Sequence, residues 1–360
     1  MPKLAKTILP LALAATLLAP AAARALPRSF FGIAPQTPLT DVDASYMRAG
    51  GIGSIRTPFT WAAIQPSASG AYDWSSTDQV VGVAARSGLT VLPFLYSTPS
   101  WLTVKATTLP VANGRERRAW KGFVEAAVER YGPGGQFWRE HRELPRLPIR
   151  TWQIWNEANF FYFAFPVSPS RYAQALEIAH GAVKAVDPGA KVLLSGLFGK
   201  PDEGGRKGMS ATSFLQALYR VPGIKADFDG VALHPYAFHV DDLEALVEGM
   251  REVVVRNRDR GTALYITEMG WGSQDDPGVV AFEQGIGGQA RELRKAYRYL
   301  IANRRQLDLK AAYWYSWKDN PAYTECDFCD SVGLFRAGAG FHAKPAWKAF
   351  VGITHGRVRP

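Results

Sequence analysis

The chain has 360 residues, 47% of them hydrophobic and 21% charged, with a formal net charge of +10. Those are the values of an ordinary soluble globular protein with ample residues for a core, in two domains or in one large α/β barrel. The basic residues are interspersed with acids along predicted helices, as in Arg115-Glu116-Arg117-Arg118, so the excess charge belongs to solvated outer faces and argues against a nucleic-acid partner.

The chain opens as a secretory signal does. Lys3 and Lys6 precede an apolar run over 8–23, broken by Pro20, and Ala23-Arg24-Ala25 supplies small residues at the expected cleavage position. The run is short for a membrane anchor. Cleavage after residue 25 would remove Lys3, Lys6 and Arg24 and no acid, taking the net charge from +10 to +7. The expectation is a secreted or periplasmic protein of residues 26–360, without membrane association once the signal is gone.

From there the chain alternates short buried-strand patterns with amphipathic helical ones. Strands are predicted over 30–33, 54–57, 90–95, 150–155, 191–195, 230–234, 263–267 and 310–316. Helical patterns over 77–86, 115–131, 170–186, 212–219, 241–259 and 289–304 lie between them, and a closing helix follows at 345–351. Ser168-Pro169-Ser170 and Asp241-Asp242 read as helix starts, and Gly88, Gly132, Gly189 and Gly261 as left-handed helix ends. Eight alternations with no Gly-rich phosphate loop after the first strand predict a single-domain α/β protein, a (β/α)8 TIM barrel.

In a barrel, chemistry sits at the C-terminal ends of the strands. Trp152-Gln153-Ile154-Trp155-Asn156-Glu157 ends the fourth predicted strand and Leu264-Tyr265-Ile266-Thr267-Glu268 the seventh, three apart around a ring of eight. The two carboxylates should therefore face each other across the mouth. Such a pair cleaves glycosidic bonds by acid catalysis with neither metal nor cofactor. A metal-dependent hydrolase would need clustered His and Asp ligands, and of six His only His234 and His239 are close together.

Trp155-Asn156-Glu157, His234-Pro235-Tyr236 and Thr267-Glu268, in this order, resemble the retaining glycoside hydrolases of clan A, above all family 39 and bacterial exopolysaccharide hydrolases, with family 5 second. The resemblance implies Glu268 as nucleophile and Glu157 as acid/base. It further implies that Arg56 holds Glu268 ionised, that Asn156 meets the sugar 2-hydroxyl, and that His234 and Tyr236 orient the two carboxylates. Trp317, or else Trp314, should floor the cleaved sugar's subsite, with Trp61, Trp101 and Trp271 as further aromatic candidates. Aromatic residues make up 12% of the chain, eleven of them Trp, more than a core alone usually needs.

Residues 160–165 carry five aromatics directly after Glu157, as a wall on the leaving-group side or as packing between loops. The segment 199–208, rich in Gly and charge, reads as a gating loop. Cys326 and Cys329 are the only cysteines and read as a local disulfide, worth about 2 kcal/mol at most for so short a loop. The expected partner is a poly- or oligosaccharide and the expected assembly a monomer. A transglycosylase would use the same pair of carboxylates, and a non-catalytic carbohydrate-binding barrel would be expected to have lost one of them.

Overall fold

The computed structural model describes residues 26–201, 207–275, 282–323, 326 and 328–360. The proposed signal segment lies outside these residues, as do 202–206 of the expected gating loop. Each short apolar run becomes a parallel strand and each amphipathic stretch a helix packed outside it. In chain order the elements are β1 (Phe31–Ala34), α1 (Asp41–Ala49), β2 (Ser54–Thr60), α2 (Trp61–Ile64), α3 (Ser75–Arg86), β3 (Thr90–Tyr96), α4 (Gly114–Tyr131) and α5 (Gln136–Glu140). Then come β4 (Thr151–Ile154), α6 (Pro169–Val186), β5 (Lys191–Leu193), β6 (Leu197–Phe198), α7 (Ala211–Leu218), β7 (Gly230–His234) and α8 (Val240–Arg256). The last are β8 (Ala263–Met269), α9 (Gly285–Asn303), β9 (Leu309–Tyr315) and α10 (Pro345–Thr354).

β1 pairs with both β2 and β9, and β5 with both β4 and β7, so the sheet closes on itself. β5 and β6 are two pieces of the fifth barrel position, interrupted over 194–196. The result is an eight-position (β/α)8 barrel. Among the described residues no helix is long and apolar enough to cross a membrane.

Alternation along the strands explains why the runs are apolar throughout. Leu92, Leu193, Ala232, Ala263, Tyr265, Ala311 and Tyr313 form a cluster inside the barrel. Their neighbours Val91, Val192, Val231, Leu233, Leu264, Ile266 and Ala312 join the larger cluster between sheet and helices. The helices supply the other half of that layer. α6 buries Tyr172, Ala173, Ala175, Leu176, Ala179, Ala182 and Val183, a stripe at helical spacing.

Two large rings fill the barrel's interior because glycines make room for them. A Cβ on Gly32 would lie 2.2 Å from the Tyr313 ring, and one on Gly230 would lie 2.6 Å from Leu193 and from Tyr265. The Tyr313 hydroxyl is met inside by Ser54 Oγ at 2.7 Å.

The helix ends differ in part from expectation. Ser168 caps α6 through its side chain, and Gly88, with φ of 67°, follows α3 in the left-handed region. Gly132 closes α4 in an extended conformation, and neither Gly189 nor Gly261 is left-handed. Asp241 and Asp242 sit in the first turn of α8, after His239, where their charge meets the positive end of the helix. Helix α1 lies in a stretch for which no helix was predicted; its capping box of Thr40 and Asp43 starts it, but its first turn is too polar for an apolar stripe to stand out.

Gly32→Ala should lower stability by about 1–3 kcal/mol, since the added methyl overpacks against Tyr313. Gly181→Ala, in open space within α6, should instead add about 0.5–1 kcal/mol. Urea unfolding of the two variants beside the parent measures both.

Candidate active site

The mouth of the barrel gathers the polar ends of five strands. Arg56, on β2, is buried with all three guanidinium nitrogens in use. Its Nε donates to Gln153 Oε1 at 2.9 Å, its Nη2 to Asn156 Oδ1 at 2.7 Å, and its Nη1 to Glu268 Oε1. The guanidinium also lies 4.1 Å from the centre of the Phe94 ring, which closes one face of it.

Glu157 reaches the mouth through an unusual backbone. β4 ends at Ile154, and both Trp155 (φ 71°) and Glu157 (φ 39°) are left-handed, a conformation costing a side-chain-bearing residue about 1–2 kcal/mol. The turn is tied down by Trp155 N–H to Leu95 O at 2.8 Å and Glu157 N–H to Ser195 O at 2.7 Å. Strain of this kind concentrates where a fold holds a functional group in place.

Glu268 arrives by a different device. Strict alternation from Tyr265, which faces inward, would turn Glu268 outward against the helices. Ile266 pairs with Ala312 and Met269 with Trp314, so two residues of β8, Thr267 and Glu268, oppose the single residue Tyr313 of β9. This β-bulge keeps Ile266 and Met269 outside while Glu268 enters the mouth. There its Oε2 accepts from the Tyr236 hydroxyl at 2.8 Å, and its Oε1 from Arg56.

His234 stands between the two acids. Its Nδ1 lies 2.6 Å from Glu157 Oε1 and 3.7 Å from Glu268 Oε2. The ring is fully buried, and its Nε2 has no hydrogen-bond partner. A Cβ on Gly196, which has a φ of 67°, would fall 2.3 Å from that nitrogen, so the glycine backbone covers it. An unpartnered buried N–H costs more than a bare lone pair on a ring nitrogen can, which assigns the proton to Nδ1 and makes His234 a donor to Glu157. Burial first, and the Arg56 charge second, hold the imidazole well below its usual titration range, so the ring is neutral.

The two carboxylates stand in contrasting surroundings. Donors from Arg56 and Tyr236 meet both oxygens of Glu268. Burial first, then the charge of Glu268, push the Glu157 carboxyl well above the usual glutamate range, and Arg56 opposes them. Tyr236 is raised for the same two reasons, burial and Glu268, so its hydroxyl keeps its proton and stays a donor. Glu157, Glu268 and His234 each bring one oxygen or nitrogen within 4.8 Å of the others. A cation could be reached by that trio, but Arg56, Tyr236 and His234 already direct protons onto its carboxylate oxygens, a donor set suited to acid–base work.

Neither of the two tryptophans that the resemblance put under the cleaved sugar, Trp317 and Trp314, reaches the mouth. Trp317 is wholly buried behind the barrel wall; its Nε1–H donates to Asp43 at 2.8 Å and its ring packs on Phe335 and Trp347. Trp314 faces outward from β9, donates to Val332 O at 3.1 Å, and meets Trp271, also buried and donating to Ala237 O at 2.8 Å. Trp61 is buried as well, edge-on to Trp101. Trp101 is half-buried and donates to Gln65 O at 2.9 Å, which ties it to the loop after β2. None of Trp317, Trp314 and Trp271 retains a face for a sugar.

From β9 it is Tyr315, between the two expected platforms in the chain, that reaches the mouth. It is half-buried, edge-on to Tyr236 at 6.2 Å, and its hydroxyl accepts from Gln36. Parity alone could have found it: it shares the inward face with Ala311 and Tyr313. Gln153, Phe94, Gln36 and Gly196 were also not singled out from the sequence, because each acts through a partner distant in the chain. Cys326 and Cys329 are bridged, and the bridged loop seats Phe328 against Tyr236, ring centres 5.4 Å apart.

No family model and no curated protein matches the sequence. Solved structures do. A family 39 glycoside hydrolase from Bacteroides cellulosilyticus WH2 superposes with a TM-score of 0.64 at 18% identity, over 91% of this chain and 64% of that one. A monomeric beta-xylosidase from Caulobacter crescentus CB15 gives 0.66 at 17%, over 91% and 68%. Xylanase 10B from Thermotoga maritima gives 0.59 at 15%, over 90% and 94%. The chain thus spans just under two thirds of the first of these structures, and what it shares with all three is the barrel fold.

The raised Glu157 carboxyl carries a stability consequence. Because its folded-state value lies above the unfolded one, its contribution is intact at low pH and is lost as pH rises through the folded value. Glu157→Gln, permanently neutral, should match the parent in melting temperature under acid conditions. It should then exceed the parent by a growing margin as pH rises above the ordinary glutamate range.

Proposed function

We propose that this protein is a retaining glycosidase acting on a poly- or oligosaccharide, with Glu268 as nucleophile and Glu157 as acid/base. The observation that carries the reading is the closeness of two carboxylates in unlike surroundings, with oxygens within 4.8 Å. A retaining pair works at about 5–5.5 Å and an inverting pair at about 6.5–9.5 Å, because inversion must leave room for water between carboxylate and sugar.

In the first half-reaction a Glu268 oxygen attacks the anomeric carbon as the glycosidic C–O bond breaks, and the Glu157 proton passes to the departing oxygen. The raised Glu157 carboxyl suits this step, since it carries a proton where a free glutamate would not. Covalent attachment removes the Glu268 charge and with it part of what held that proton. Glu157, now a carboxylate accepting from His234, takes a proton from water, whose oxygen attacks the anomeric carbon and releases Glu268. Arg56 and Tyr236 position the nucleophile throughout. Similarity to solved β-xylosidase, glucosidase and xylanase structures supports a sugar substrate, and the signal-like segment with the Cys326–Cys329 bridge supports an exported protein.

Glu268→Ala should abolish turnover of activated aryl glycosides, and azide should restore it by forming a glycosyl azide. Glu157→Gln should slow substrates with poor leaving groups by about 10²–10⁴-fold while sparing activated ones. Hydrolysis unchanged in Glu268→Ala, or a first-formed product of inverted configuration by NMR, would rule the assignment out.

A further inference from the structure

Two of the large aromatic side chains that stand exposed among the described residues, Tyr162 and Phe165, belong to the loop that leaves the barrel directly after Glu157; the third is Phe238. The loop does not merely pack. Tyr162 is 56% exposed, whereas its neighbour Phe160 is half-buried and makes a stacked contact with Phe198, ring centres 5.3 Å apart. Phe198 in turn lies 5.9 Å from Tyr236, which holds Glu268. On the other side Phe160 lies 5.0 Å from Tyr162, and Tyr162 stacks on Phe161 at 4.4 Å. A continuous row of rings therefore leads from the reacting centre to solvent, in steps comparable to the length of a pyranose unit.

The row is also built to stay in place. Asn159, fully buried, donates to the carbonyls of Phe198 and Met209 at 2.7 Å each and accepts from Phe198 N–H at 2.9 Å. Phe160 N–H donates to Glu157 O at 2.9 Å, Phe161 N–H to Lys207 O at 2.8 Å, and Phe165 N–H to Thr107 O at 3.1 Å. Phe160 further forms an antiparallel bridge with Gly208. Fixing a ring face before the ligand arrives removes an ordering cost from binding. Flat apolar faces held at a site of polar chemistry are what the C–H faces of sugars stack on.

We infer that Tyr162, at the outer end of the row through Phe160 and Phe198, is a stacking platform for a sugar beyond the cleaved bond on the leaving-group side, and that the substrate is a glycan chain running out over this loop. The side follows from the loop that carries Phe160 and Tyr162, which leaves the barrel at Glu157, the group that protonates the departing oxygen, with Phe160 N–H held on Glu157 O. This rests on the glycosidase reading and deepens it. A substrate consisting of one sugar and a small aglycone would reach Phe198 and leave Tyr162 untouched, so Tyr162 is a specificity-determining residue for chain length.

The test compares the parent, Tyr162→Ala and Tyr162→Phe on the p-nitrophenyl β-glycosides and the β-1,4-linked hexaoses of xylose, glucose and mannose. Tyr162→Ala should lower kcat/KM on the hexaose that is cleaved roughly tenfold, mainly through KM, and leave the aryl glycosides within about twofold. Tyr162→Phe, which keeps the ring, should behave as the parent. Equal loss on both substrate types, hexaose cleavage indifferent to Tyr162→Ala, or a parent that turns over aryl glycosides and no hexaose would overturn the proposal. A parent inactive on every one of these compounds is a different failure: it removes the glycosidase reading, and this platform with it.

Discussion

Arg56 is the constraint around which the mouth of the barrel is assembled. A guanidinium with almost no solvent exposure is tolerable only if charge and hydrogen bonds are returned to it by protein, and removing one partner of such a buried pair costs about 3–5 kcal/mol. Its partners come from β4, from the turn after it and from β8, with the Phe94 face of β3 beneath. One side chain thereby fixes four barrel positions relative to one another at the level of the candidate site. The same charge opposes the rise of the Glu157 carboxyl and, second to burial, helps to hold His234 neutral. Positive charge at this point builds the site, while burial leads in fixing the protonation states around it.

Behind the polar layer lies an aromatic one. Tyr236, Phe328, Cys329 and Val332 form a small cluster of their own, with Phe198, Phe282, Tyr315, Tyr323 and Cys326 packed around it. Tyr236 is shared between the layers: its ring belongs to the cluster and its hydroxyl to Glu268. Packing in the loops above the barrel is thus transmitted to the carboxylate through a rigid ring, and the disulfide lies within that packing, in a cluster separate from the main core.

The architecture and the two glutamates were legible because they depend on local and repetitive signals: apolar runs, helical stripes, and carboxylates at two strand ends. The serial number of those strands in a closed ring then determined which groups could meet. The aromatic floor was not legible in the same way. Trp314 and Trp317 looked suitable by residue type, but facing is decided by strand parity and by what packs behind the wall, and Tyr315 alone of the three is on the inward face at the right height. The bulge in β8 left no mark either, since Ile266-Thr267-Glu268-Met269 reads as uninterrupted strand until its partner's register is known. Gly196 under the His234 ring is a contact between residues with no pattern in common.

That bulge has a counterpart lower in the same ladder. Leu264 faces Leu309 but Tyr265 faces Ala311, so β9 carries an extra residue, Lys310, before β8 carries its own. By Met269 and Trp314 the two strands have returned to the numerical offset with which Leu264 and Leu309 began. The two defects are like dislocations of opposite sign in a crystal, each cancelling the slip of the other. Between them lies a window of a few residues in which the lattice is displaced; beyond it, the ring closes as though nothing had been inserted. A barrel can in this way turn one carboxylate from its oily exterior to its mouth while the two strands leave the window in the register with which they entered it.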